Sequence, residues 1–426
     1  MNKKISSIFV LSFYFLSAGL AFAQGPLTWQ ECVQKAKKNH PDLISAAEEV
    51  KQAKSDKDIN IATILPQVTG SVSGTRSRTK SKTAGKTKTK DYSFGVTGEQ
   101  LVFDGFKTTN DISNAVKLIN AQEYNYLVVS SNIRLELRSA FVELLKTQEL
   151  TFITQEIAER RQQNLKLIEL RYEAGREHKG ALLTAQADLA KAEFEVEQAK
   201  RNISLAQREL SKELGLDKMI QANVSGDFSV VEGYSAKPDL EYFADNSPFL
   251  KELIARKDAA RYNLQSAQAN LLPKVYLGAS VGKTDDSWPP RDNEWSTTAR
   301  VSIPMFEGTS SIAQIYKAKS QLKQAQADQR SGRDSALVTL ETTWKDFQDS
   351  IANVSVQEKF LNAAKERAKI SSAQYETGLI SFDSWVIIED NLVNAKKAFL
   401  NAQADMLTKE AYWVQAIGGT LDYDEE

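Results

Sequence analysis

The side chains that most often carry chemistry are scarce in this chain. Its 426 residues include two histidines, His40 and His178, and one cysteine, Cys32. Zinc-type sites draw most of their ligands from Cys and His, so no metal cluster of that kind is expected. His40 falls in a repeated helical segment and His178 in a turn, and neither has a nucleophile or phosphate-binding loop motif beside it. No catalysis is expected on that ground. What recurs instead is a turn signature, Tyr172-Glu173-Ala174-Gly175 and again Tyr375-Glu376-Thr377-Gly378.

The elements that position those turns are themselves repeated. Tyr172 and Tyr375 lie 203 positions apart, and at the same spacing each is followed by a helical run, Leu182 to Leu210 and Trp385 to Trp413. In the first run Leu182, Leu189, Val196, Ile203 and Leu210 recur every seven positions, with Ala185, Ala192, Ala199 and Ala206 in a parallel small row. The second keeps the register with Trp385, Leu392, Phe399, Met406 and Trp413, and with Ile388, Ala395, Ala402 and Lys409 in the small row, where only Lys409 breaks the pattern. Alanine in one row of a heptad seam lets helix axes approach closely, so each run is expected to pack lengthwise along another long helix.

Proline placement sets the lengths. No proline lies between Pro66 and Pro238 or after Pro304, which frees two segments to form very long helices. From Gly105 to Tyr172 is 68 residues, or about 100 Å of unbroken helix. The first helix opens on Thr28-Trp29-Gln30-Glu31, a capping-box pattern, and is expected to run to about Leu65, with Leu240 to Leu272 as its counterpart. Asn39-His40-Pro41 and Leu65-Pro66 recur as Asn246-Ser247-Pro248 and Leu272-Pro273 at a shift of 207, whereas Phe103-Asp104-Gly105 recurs as Phe306-Glu307-Gly308 at 203. The chain therefore reads as a tandem duplication with a four-residue length difference inside each copy. The expected organisation is a signal peptide (1–23), a first repeat (24–215), a linker (216–238), a second repeat (239–419) and an acidic tail (420–426).

Each Leu-Pro pair introduces two segments of period two. Val275, Leu277, Ala279 and Val281 alternate with Tyr276, Gly278, Ser280 and Gly282, and Trp295, Thr297, Ala299, Val301 and Ile303 with Ser296, Thr298, Arg300 and Ser302. The first copy has Val68, Gly70 and Val72, then Tyr92, Phe94 and Val96, with the phase slipping before Leu101 and Phe103. Strands of about nine to twelve residues suit a tilted crossing of a bilayer. Four strands cannot close alone, and open edges are not tolerated in lipid, so the membrane reading demands an oligomer. A small periplasmic sheet is the other reading of the same alternation.

Lys3 and Lys4, the apolar stretch Ile8 to Leu16 and Ala21-Phe22-Ala23 form an export signal with cleavage expected before Gln24. Beyond it no apolar stretch is long enough for a spanning helix. Without Lys3 and Lys4 the chain carries 52 basic against 55 acidic residues, a balance that argues against nucleic-acid binding. Arg76 to Lys90 holds seven basic residues and no acid. That run reads either as a surface segment that binds outer-leaflet phosphates or, as its Thr, Ser and Gly spacing favours, as a solvated hairpin loop.

In order and spacing, the Tyr-x-x-Gly turn with Leu182-Leu183-Thr184-Ala185-Gln186 after it, the Phe-Asp-Gly junction, the Leu27-Thr28 opening and Asn39-His40-Pro41-Asp42-Leu43 resemble the TolC family of outer-membrane efflux channels. The resemblance implies a mainly α fold with a small β part: a homotrimer whose four strands per chain build a twelve-stranded outer-membrane barrel, continued by an α-helical barrel through the periplasm. It implies no cofactor and no reaction. It also implies an exit duct that meets a periplasmic adaptor at its helical tips and works with an inner-membrane transporter of RND, ABC or MFS type. A periplasmic coiled-coil adaptor or scaffold is the competing function.

By position, the resemblance makes Gly175, Arg176, Gly378 and Leu379 the adaptor-docking turns and matches Tyr375 to a tyrosine of a closed-state latch. The rest of that latch does not match, since Ile380, Ser384, Ile387 and Ala181 stand where some members carry arginine or acids. Arg176, Glu177, Lys179, Glu376 and Asp383 are the polar residues near the turns that are expected to form this chain's own gate.

Overall fold

The computed structural model describes residues 25–81, 85–229 and 237–423. The export signal therefore lies outside the described residues, as do part of the expected linker and the end of the acidic tail.

Twelve elements follow in order among these residues: α1 (Trp29–Asn39), α2 (Pro41–Ala62), β1 (Gln67–Ser81), β2 (Gly85–Phe103), α3 (Lys107–Glu173), α4 (Lys179–Glu213), α5 (Leu240–Asn246), α6 (Pro248–Ala269), β3 (Lys274–Asp285), β4 (Asp292–Ser302), α7 (Ser310–Glu376) and α8 (Phe382–Ala416). The same order of two short helices, two strands and two long helices runs twice. α3 and α7 each have 67 residues, and α4 and α8 each have 35. Each proline-free stretch thus contains one continuous helix of about 100 Å, α3 or α7.

The capping box forms as read. Thr28 N–H donates to Glu31 Oε2 at 2.9 Å, and Thr28 Oγ1 accepts from Glu31 N–H at 3.4 Å. The single helix expected from Thr28 to about Leu65 does not form, because it breaks at His40. Pro41 disfavours helical geometry in the residue before it, and His40 sits extended at φ −64°, ψ 122°. His40 Nδ1 then caps α2 by accepting from Asp42 N–H at 3.3 Å. Pro248 breaks the second copy in the same way, with Ser247 at ψ 141° and its hydroxyl accepting from Leu250 N–H at 3.2 Å.

The strands form one antiparallel sheet in the order β1-β2-β3-β4, so β1 and β4 have open edges. β3 and β4, at 12 and 11 residues, have the expected length, whereas β1 and β2 reach 15 and 19. The four-residue difference between the copies falls here, in a longer first hairpin. The phase slip appears as a bulge between Leu101 and Phe103, which keeps Phe103 paired with Val275 and on its face of the sheet. Where strand turns to helix, Gly105 and Phe106 (φ 71° and 66°) and Gly308 and Thr309 (φ 64° and 73°) take left-handed backbone in succession. A Cβ on Gly105 would lie 2.5 Å from Leu272 Cβ, so this junction needs glycine for space as well as conformation.

α3 packs along α2, α4, α6 and α8, and α7 along α6 and α8. The alanine row of α4 is buried at Ala185, Ala192, Ala199 and Ala206, as close axial packing requires. In α8 Trp385, Leu392, Met406 and Trp413 are buried. Lys409, the break in the row, reaches Asp346 of α7 at 3.8 Å. Two apolar clusters pin α3 and α7 near their midpoints, where α4 and α8 end. One joins Cys32, Leu137, Phe141, Leu144, Leu210 and Leu214, and the other joins Trp344, Phe347, Met406 and Trp413.

Candidate functional site

Both glycine turns lie at the same end of the helical body. At the end of α3, Gly175 (φ 68°) donates its N–H to Tyr172 O at 3.0 Å and Arg176 N–H donates to Arg171 O at 2.8 Å. At the end of α7, Gly378 (φ 77°) donates to Tyr375 O at 3.0 Å and Leu379 to Gln374 O at 2.8 Å. These paired bonds close a helix through a left-handed residue, a conformation glycine takes without a Cβ penalty. The returning helices are capped at once. His178 Nδ1 accepts from Ala181 N–H at 3.1 Å, and Ser381 Oγ accepts from Ser384 N–H at 3.3 Å.

Tyr375 joins the two turns. It is 1% exposed, its ring is stacked on Trp385 (centroids 4.5 Å, interplanar 5°), and the Arg171 guanidinium lies 4.5 Å from its centroid. Arg171 also donates to the Tyr375 carbonyl at 2.7 Å, and the Tyr375 hydroxyl donates to Glu177 Oε1 at 2.6 Å. Phe382, Ile168, Ala181 and Ala185 complete the apolar surround. Burial and then the Glu177 carboxylate push the phenol well above its ordinary pKa, against a smaller opposing pull from Arg171. The hydroxyl therefore remains a hydrogen-bond donor throughout the physiological pH range.

Of the residues singled out in the sequence, Tyr375 and Glu177 are brought together. Gly175, Arg176, Gly378 and Leu379 stand exposed at the tips, Leu379 at 75%. Lys179, Glu376 and Asp383 are exposed around them. Among the described residues no ion pair joins these three to one another or to Arg176. Ile380 packs against the Tyr375 cluster and Ala181 is buried in it, while Ile387 is 61% exposed.

Sequence reasoning missed Arg171 and a set of ion pairs farther along the helices. Arg160 of α3 donates to both oxygens of Glu389 of α8, at 2.6 and 2.8 Å, and Glu389 is 2% exposed. Arg161 bonds Asp390 of α8 and lies 4.0 Å from Asp188 of α4. Burial holds the Asp188 carboxyl above its usual range even though Arg161 pulls it down. Beyond these, Lys396 pairs with Glu156 and Lys397 with Glu195, each at 2.7 Å. The signal for the first two pairs was a difference between the copies. Arg160-Arg161 corresponds to Ala363-Ala364, and Glu389-Asp390 to Gln186-Ala187, so opposite charges occur once each on helices that must meet.

Such a site suits a mechanical role. It has a buried aromatic clasp at the tip and charged rungs that bind α8 to α3 and α4. Among the described residues no group of His, Cys, Asp and Glu is arranged to hold a metal ion.

Comparison with known proteins places these features in context. The model of a family described as outer membrane efflux protein matches residues 32–216 and 241–419. The chain is 24% identical over 391 residues to the outer membrane efflux protein BepC of Brucella suis, covering 90% of this chain and 80% of that protein. It is 24% identical over 260 residues to the alkaline protease secretion protein AprF of Pseudomonas aeruginosa, covering 59% and 52%. Among solved structures, the outer membrane channel CmeC of Campylobacter jejuni superposes with a TM-score of 0.83 at 17% identity, covering 92% of this chain and 86% of that one.

Proposed function

Since the chain belongs to the outer membrane efflux protein family, we propose that three copies of it form an outer-membrane channel-tunnel, the exit duct of a tripartite efflux or type I secretion system. The observation that carries this reading is the sheet. Four strands with open edges at β1 and β4 cannot remain unpaired in lipid, and three such sheets side by side close a twelve-stranded barrel with no edge. α3 and α7, each about 100 Å long, continue that barrel as a tunnel across the periplasm. The duct catalyses nothing and binds no cofactor. It lies in the outer membrane and extends into the periplasm, where an adaptor links it to an inner-membrane transporter that selects the cargo and supplies the energy. A periplasmic adaptor would need compact β-domains around one hairpin, whereas the described residues hold two long hairpins and one sheet.

The turns at Gly175-Arg176 and Gly378-Leu379 are the surfaces we assign to adaptor docking. The bond from Tyr375 of α7 to Glu177 is the gate contact, because opening the tip requires the α7–α8 hairpin to move away from the α3–α4 hairpin. Two hydrogen bonds, from the Tyr375 hydroxyl to Glu177 and from Arg171 to the Tyr375 carbonyl, tie α7 to α3 and its turn at the tip, while the Arg160–Glu389 and Arg161–Asp390 pairs tie α8 to α3 farther in. Exposed Arg176, Lys179, Glu376 and Asp383 are free to meet an adaptor's polar side chains.

Reconstitution in planar bilayers tests the function. The purified protein is expected to give discrete conductance steps, and outer-membrane fractions are expected to contain it. A protein that stays in the soluble periplasmic fraction and conducts no ions would sink the reading. A photo-reactive residue at Leu379 is expected to capture a periplasmic adaptor in cells, and capture only from distant helix positions would move the docking surface elsewhere.

A further inference from the structure

Above the last pairing of β2 with β3, Tyr92 with Asp285, β1 and β2 continue alone as a two-stranded ribbon. Its register sets Arg76 opposite Lys90, Arg78 opposite Lys88 and Lys80 opposite Lys86. Directly opposed residues point to the same side of an antiparallel pair, as do residues two apart along a strand. All six cations therefore share one face. The other face carries Thr75, Ser77, Thr79, Thr87 and Thr89, with Ser77 and Thr89 hydrogen-bonded at 2.6 Å. The six are exposed, and among the described residues none is paired with an acid. Lys82, the seventh basic residue of the run, lies outside the described residues. Like charges set directly opposite destabilise a ribbon, so this face is costly unless an anion covers it.

The same parity, followed down the sheet, shows what the cations face. Val68 and Val72 on β1, Tyr92, Phe94 and Val96 on β2, Val281 on β3 and Trp295 and Val301 on β4 all lie on the cationic side. The opposite side is polar, with hydroxyl pairs Ser73–Ser93 at 2.8 Å and Ser280–Ser296 at 2.9 Å. In a closed barrel the apolar side meets hydrocarbon and the polar side lines the lumen. The change from apolar to cationic falls where Tyr92 meets Trp288 edge to face at 6.2 Å, the kind of aromatic contact that marks a membrane boundary. Asp285 at that level is occupied by hydrogen bonds from Ser287 at 3.1 and 3.2 Å. β3 and β4, tilted as barrel strands are, rise about 25 to 30 Å, the height of the hydrocarbon band. The cationic face thus begins at headgroup level, at the end of the barrel away from the helices, and extends about 14 Å along the strands.

We propose that this face binds the phosphate groups of phosphorylated lipids in the outer leaflet, clamping the barrel rim to the surface around it. The proposal rests on the outer-membrane reading above. The test uses the full mature protein extracted as trimers, with a glycolipid carrying two phosphates on a disaccharide as probe and its dephosphorylated form as control, and reads bound lipid by native mass spectrometry. The wild type is expected to prefer the phosphorylated form at least about tenfold, since each cation near an anionic surface is worth roughly fivefold in affinity. A variant with Arg76→Gln, Arg78→Gln, Lys80→Gln, Lys86→Gln, Lys88→Gln and Lys90→Gln is expected to lose that preference while it still inserts and conducts. Adding Ser77→Lys, Thr79→Lys, Thr87→Lys and Thr89→Lys to that variant returns four charges to the lumenal side and is expected not to restore it. Retention of the preference by the neutral variant, or its recovery in the variant with lumenal charges, would overturn the proposal while leaving the channel intact. Failure of the wild type to reach the outer membrane as a trimer would overturn both readings.

Discussion

Replacing Tyr375 by Phe isolates the gate contact. The substitution keeps the ring that stacks on Trp385 at 4.5 Å and removes only the hydroxyl that bonds Glu177 at 2.6 Å. A hydrogen bond to a charged group contributes roughly 1.5 to 3 kcal/mol. Glu177 is only half-buried and regains water when the bond is lost, so the net loss is set at about 1 kcal/mol per protomer. If three tips open together, the closed state loses about 3 kcal/mol, a shift of roughly 150-fold towards open. Single-channel recording reads that shift as open-state occupancy, and cells carrying the variant should admit large antibiotics that the wild type excludes. Glu177→Gln should move both readings in the same direction. Trimers of Tyr375→Phe with wild-type conductance and exclusion would refute the assignment of this bond to the gate.

Arg160→Ala strands Glu389, a carboxylate 2% exposed; because Arg160 itself is 37% exposed, the expected loss is about 2 kcal/mol rather than the full cost of breaking a buried pair, and thermal unfolding should show Glu389→Gln in the same background recovering part of it. Cys32 is fully buried and its thiol is pushed up to about 12, first by burial and then by Glu31, so maleimide at pH 8 should leave it unmodified in the folded protein and label it in denaturant, as mass spectrometry will read. Gly105→Ala combines a left-handed backbone with a Cβ 2.5 Å from Leu272 Cβ; the left-handed conformation alone costs about 1 to 2 kcal/mol, and the outer-membrane fraction should hold markedly less trimer than for the wild type.

Much of this architecture was legible because it rests on period and punctuation. The heptad rows, the proline-free stretches and the strand alternation each report one local geometry, and each appears as α4 and α8, α3 and α7, and β1 to β4. The break at His40 was also written in the sequence, in the proline that follows it, since Pro41 disfavours helical geometry at His40. The longer first hairpin could not be bounded by alternation alone, since Lys and Thr alternate there in place of an apolar row. At the tip, position carried Tyr375 and its glycine turns, but not Arg171 or the Arg160–Glu389 pair. Those depend on which helix lies beside which, a tertiary relation that the asymmetry between the copies hints at without specifying.

The central claim is that three four-stranded sheets close one barrel in the outer membrane. Its most direct test is the mass of the processed protein extracted from outer membranes in mild detergent, measured by light scattering with the detergent contribution subtracted. A protein mass three times that of one chain is the result this account requires. A monomer or a dimer, with β1 and β4 left unpaired, would contradict it.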